Sequence, residues 1–106
     1  MTEFVIAIYK PKPDGLETLK AELRRHHGVL VGEGLATERK PLLMSAKDGT
    51  VLEIFEWVDH EAASTAHEND KVMAVWNRMA AVCEFSTLNA LEESQGPFPH
   101  FQPFEL

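Results

Sequence analysis

The order strand, helix, strand occurs twice in this chain, once over Thr2 to Ala46 and again over Thr50 to Leu91. Between the halves lies Lys47-Asp48-Gly49-Thr50, whose Asp-Gly centre is a strong hairpin signal. The strand before it must turn back antiparallel onto the strand after it, Val51 to Val58. Two such halves in one short chain predict a split βαβ repeat, with a four-stranded antiparallel sheet and both helices on one face.

Phe4-Val5-Ile6-Ala7-Ile8-Tyr9 is continuously apolar, the pattern of a strand covered on both faces. Lys10-Pro11-Lys12-Pro13 ends it, and Asp14 with Glu17 predicts a helix N-cap and its capping-box partner. Leu16, Leu19, Leu23 and Leu30 recur near the helical period, and Gly28, Gly32 and Gly34 place the helix end between His27 and Glu33. The second strand is expected within Leu35 to Ala46, with Pro41 at an edge, a bulge or the strand start. Asp59 should cap a helix that breaks at Asn69-Asp70 and restarts near Lys71. Val72, Val75, Trp76, Met79, Val82 and Cys83 then form one core-facing stripe. Phe85 to Leu91 is predicted as the last strand.

Residues 1–96 thus read as one ferredoxin-like α+β domain, and 97–106 as an extended aromatic tail. In that tail prolines hold Phe98, Phe101 and Phe104 apart, which excludes a helix and leaves rings that water receives poorly. The tail is expected to lie across another surface. Together with the doubly apolar first strand, it predicts that a second copy of the chain covers the outer face of the sheet, in a two-fold homodimer on which the tail docks.

A length of 106 residues leaves room for one domain. The formal net charge of −7, with only Arg24-Arg25 and Arg39-Lys40 as basic clusters, argues against nucleic acid as a partner. No apolar run approaches the roughly 20 residues that span a bilayer, and no basic segment with a cleavage site follows Met1. A cytoplasmic protein, not a membrane protein, is the expectation. The single cysteine, Cys83, fits a reducing compartment. No phosphate loop, dinucleotide fingerprint, serine-nucleophile motif or metal-ligand spacing is present, so no cofactor and no metal are expected.

The element order, with Glu53-Ile54-Phe55-Glu56-Trp57, Glu61-Ala62 and Ala66-His67-Glu68-Asn69 ahead of the Trp76 helix, resembles the antibiotic biosynthesis monooxygenase-like family of dimeric α+β barrel proteins. The resemblance implies two ferredoxin-like sheets packed face to face as a barrel, each protomer holding a pocket between helices and sheet. It also implies cofactor-independent oxygenation of an aromatic, phenol-like substrate, in a superfamily whose fold alone sets function only weakly. Trp57 looks like the third-strand tryptophan of the monooxygenase members. Where those members carry an asparagine four residues earlier, this chain has Glu53. The haem-degrading members use an asparagine early in the first strand and a histidine late in the second helix, and this chain has neither.

Val51, Glu53, Phe55 and Trp57 share one strand face by the period of two. Glu53 among such neighbours is a candidate general base, or else the partner of Arg39, Lys40 or Arg78 or a carboxylate at a strand end in water. His67, at the helix break, is a candidate base or hydrogen-bonding group, or else a capping or surface histidine. It lies roughly 10 Å along a helix from His60, too far to share a metal ion with it. Trp57, Phe55, Trp76 and His26 are candidate substrate-binding residues, with His26 beside the apolar stripe of the first helix. A small organic molecule is the expected ligand. A non-catalytic ligand-binding or structural dimer is the alternative function.

Overall fold

A computed structural model describes all 106 residues. Strand β1 spans Glu3–Pro11, helix α1 Leu16–Gly32, β2 Leu42–Ser45, β3 Val51–Trp57, helices α2 and α3 Ala62–Ala66 and Asp70–Val82, β4 Cys83–Phe85, and β5 Gln102–Pro103. The sheet has five strands, not four, in the order β4-β1-β3-β2-β5, with every pair antiparallel. The fifth strand is the tail. Gln102 and Pro103 pair with Ser45 and Met44 at the sheet edge, where a proline costs no interior ladder bond.

The tail is seated along this edge of its own chain. Phe101 packs towards Ile8, Ala46, Leu52 and Leu91, and Phe104 towards the cluster around Leu19 and Leu23. Lys20 lies over the Phe104 ring. Phe98 alone of the three rings stays largely exposed.

Three other boundaries differ from the sequence reading. The last strand pairs only Cys83, Glu84 and Phe85 with β1, and Leu88–Ala90 and Glu92–Gln95 are short 3-10 turns. Leu91, the expected end of that strand, is instead buried against Ile8 and Leu52. Leu35 and Ala36 run beside Trp57 through a single bridge, but the chain leaves the sheet from Thr37 until Leu42. Within that excursion Thr37 and Arg39 turn to the Glu56 carboxylate, and Pro41 stands just before the strand. Helix α1 starts after Gly15 with no side-chain cap, and Asp14 adopts a left-handed φ of 64°. Gly15 is required there because a Cβ would overlap the carbonyl oxygen of Val82.

The helix break is where the sequence puts it. Asn69 caps α3, its side-chain oxygen accepting from the Val72 N–H at 3.0 Å. Val72, Val75 and Met79 then face the core, as do Leu19, Leu23 and Leu30 of α1. Ladder register assigns the two sheet faces. Val5, Ala7 and Tyr9 lie opposite Phe55, Glu53 and Val51 on the face under the helices. Phe4, Ile6 and Ile8, with Leu52 and Ile54, lie on the outer face. Leu91 covers Ile8 and Leu52, whereas Phe4, Ile6 and Leu42 remain 61%, 43% and 56% exposed. No helix is long and apolar enough to cross a membrane.

Candidate functional site

Helix α3 does not lie flush on the sheet. Between them opens a cavity of about 460 Å³. Its sheet wall is Val5, Ala7, Tyr9, Phe55, Trp57 and Phe85; its helix wall is Met73, Trp76, Asn77 and Ala80; His26 enters from α1 and His67 from the turn after α2. The sheet side chains arrive by the period of two, so one run of small residues in β1 faces one run of aromatic residues in β3. Ala7 and Val5 leave the space that Phe55 and Trp57, packed edge to face at 4.8 Å, do not fill.

One polar chain crosses this apolar setting. Trp76 donates its indole N–H to His26 Nε2 at 2.9 Å. An indole nitrogen only donates, so Nε2 must be the accepting nitrogen and the ring proton sits on Nδ1. His26 Nδ1 therefore donates to Glu53 Oε1, also at 2.9 Å. Tyr9 donates its hydroxyl to the same carboxylate oxygen at 2.7 Å. Burial, and then the Glu53 charge and this hydrogen bond, push the Tyr9 phenol well above its ordinary range. Tyr9 is thus held as a donor. His26 and Glu53 are 2% and 1% exposed, and no buried side-chain polar atom lacks a partner.

Glu53 does not find the cationic partner expected as one of its readings. It forms no ion pair with Arg39, Lys40 or Arg78: Arg39 binds Glu56 and Arg78 binds Glu22, the latter at 2.9 Å. Nor does it line the apolar cavity. It stands behind His26 and reaches a second cavity of about 410 Å³ on the far side of α1, beside Arg24, His27 and Lys40. Burial without a cation is tolerated because two donors converge on one of its oxygens.

His67 lies at the rim. Its Nδ1 donates to the Ala63 carbonyl at 2.8 Å, which fixes the tautomer and leaves Nε2 as an acceptor. Its ring meets Trp76 edge to face, with centroids 4.9 Å apart. His26 likewise stands edge-on to Phe55. The structure thus brings His26, Phe55, Trp57, Trp76 and His67 to one cavity, with Glu53 one residue behind it. Cys83 is buried outside the cavity, its thiol raised by burial, which suits packing rather than nucleophilic attack. No cluster of three or more His, Cys, Asp or Glu side chains is placed to hold a metal ion.

Sequence reasoning missed Val5, Ala7, Tyr9 and Phe85 on the sheet and Met73, Asn77 and Ala80 on α3. Tyr9 lies on the Glu53 face of the neighbouring strand, but the hairpin joins β2 rather than β1 to β3, so no turn in the sequence sets that register. Met73, Asn77 and Ala80 follow one another at spacings of four and three along α3, beside the core stripe, and nothing in the sequence shows that this flank is held off the sheet.

Fold and site together define an α+β protein whose helices and antiparallel sheet border an apolar, aromatic-walled cavity, with one lining histidine paired to a buried carboxylate behind it. No protein-family profile and no curated protein matches this chain.

Proposed function

We propose that the protein binds a small, neutral, aromatic molecule in the cavity between α3 and the sheet, as a homodimeric α+β barrel protein of the antibiotic biosynthesis monooxygenase-like kind. The observation that carries this reading is the cavity: about 460 Å³, walled by Phe55, Trp57, Trp76 and Phe85, with two imidazoles and no cation in its lining. Such a lining favours a flat apolar ligand and disfavours a carboxylate or phosphate. The dimer is supported by Phe4, Ile6 and Leu42, apolar and exposed on the outer sheet face.

The chemistry proposed is cofactor-independent monooxygenation of a phenol-like substrate with an acidic ring methylene. His67 Nε2 takes the first proton from that carbon. The carbanion adds dioxygen to form a peroxide at the same carbon. Loss of the second C–H proton with cleavage of the O–O bond leaves a carbonyl and releases the other oxygen as water. The substrate supplies both electrons that reduce this oxygen atom. Glu53 acts through His26 rather than on the substrate.

Non-catalytic ligand binding is the second reading, favoured by one observation: Glu53 and His26 are already engaged with each other, with Tyr9 and with Trp76. An oxygen electrode separates the two. With a tricyclic phenol bearing a ring methylene, the enzyme reading expects one equivalent of oxygen consumed per carbonyl formed, falling about 100-fold or more in His67→Ala. Binding of that compound without oxygen uptake would leave the ligand-binding reading alone standing.

A further inference from the structure

The Trp76–His26 bond is a contact between two cavity-lining side chains, and it occupies the one lone pair of His26 Nε2. Glu53 holds the proton on Nδ1, so Nε2 stays an acceptor while that pair is intact. On the other side, the indole N–H is always a donor. A group that slips between them must accept from Trp76 and donate to His26 at once.

We propose that a ligand hydroxyl inserts into this bond, and that Trp76 is thereby the specificity-determining residue of the cavity. The inference rests on the reading of the cavity as a ligand site and names the group that the site selects. A hydroxyl accepts from the indole through its oxygen and donates its proton to Nε2. The two ring nitrogens then part from 2.9 Å to about 5 Å, the span of two ordinary hydrogen bonds around one oxygen. Trp76 is only half-buried and meets the cavity, so the indole has open space beside it.

An ether or a carbonyl oxygen fails this test. It would accept from Trp76 but leave Nε2 facing another lone pair, an unpaired buried acceptor. A carboxylate fails also, having neither a proton to donate nor a cation in the lining to meet it. Tyr9 cannot compete for the place, because its hydroxyl is committed to Glu53. The Trp76–His26 bond thus acts as an internal stand-in that only a group with both functions displaces at no net loss of hydrogen bonds.

The test compares β-naphthol with its methyl ether, ligands of similar shape that differ in the hydroxyl proton. Affinity is measured by calorimetry, and the Trp76 indole N–H cross-peak, assigned by its loss in Trp76→Phe, is followed by nitrogen–proton NMR on the wild-type protein. The naphthol is expected to bind about threefold to tenfold tighter than the ether, the net worth of one hydrogen bond, and to shift the Trp76 cross-peak. In His26→Phe the ratio is expected to fall to about one on the same grounds. Since that variant leaves Glu53 with one donor fewer, the wild-type cross-peak decides if it does not fold. Equal affinities, or a tighter naphthol that leaves the Trp76 cross-peak unmoved, would overturn the insertion while the cavity reading stands. Failure of both compounds to bind would overturn the cavity reading and the insertion with it.

Discussion

Tyr9 and Glu53 sit on neighbouring strands, diagonal across the ladder, and the Tyr9 hydroxyl donates to Glu53 Oε1 at 2.7 Å with both side chains buried. A hydrogen bond to a charged, buried group is worth about 1.5–3 kcal/mol. Tyr9→Phe keeps the ring and removes the donor, so a loss of that size is expected. Urea unfolding checks it: the midpoint should fall with the slope unchanged, and an unmoved midpoint would mean that His26 alone satisfies the carboxylate.

Acid should weaken the fold through Glu56. Hydrogen bonds from Thr2, then Thr37 and Arg39, hold its carboxyl below the ordinary range. Glu33 is lowered in the same way by Asn69, and Asp48 by Thr50. A folded pKa below the unfolded one contributes stability in full above the unfolded value, and that stability is lost as pH falls through the folded one. Unfolding free energy is therefore expected to drop on acidification from neutral pH to about pH 3. Glu56→Gln should show a shallower drop, and a slope equal to wild type would remove Glu56 from the account.

Gly15 is the position most sensitive to a single methyl group. Its N–H bonds the Lys12 carbonyl, and its Cα faces the Val82 carbonyl at the end of α3. Gly15→Ala must push the start of α1 away from α3, and overpacking of this kind costs about 1–3 kcal/mol. A lowered thermal midpoint is expected, while Gly28→Ala, with open space at that Cβ and a helical site, should hold or raise it.

The proposed dimer makes its own prediction. Ile6 lies on the outer face between Phe4 and Ile8, 43% exposed, where a facing copy would bury it. Ile6→Glu would place a charge in that contact and should yield monomers by sedimentation velocity at concentrations where the wild type is dimeric. Dimers that persist in Ile6→Glu would put the interface elsewhere.

Much of the fold was legible in local pattern. The Asp48-Gly49 hairpin, the Asn69 cap and the stripes of α1 and α3 are short-range signals, and each element they mark is present. The errors lie where distant residues compete for the same backbone. Leu91 is expected in the last strand, yet the bare outer face over Ile8 and Leu52 takes it for packing. Gln102 and Pro103 become a strand only because β2 offers an open edge.

The same division runs through the site. Period two put Glu53, Phe55 and Trp57 on one face, and the helical period put Trp76 on its stripe and His26 beside another, because both rules act within one element. Which side chains meet is a matter of register between elements. That Glu53 would find Tyr9 and His26 rather than an arginine, that Trp76 would turn its N–H to His26, and that α3 would stand off the sheet far enough to leave a cavity were decided only by tertiary packing. Their physical cause is the need to satisfy a buried carboxylate while seating Phe55, Trp57 and Trp76 between the sheet and α3, and no single stretch of the sequence encodes it.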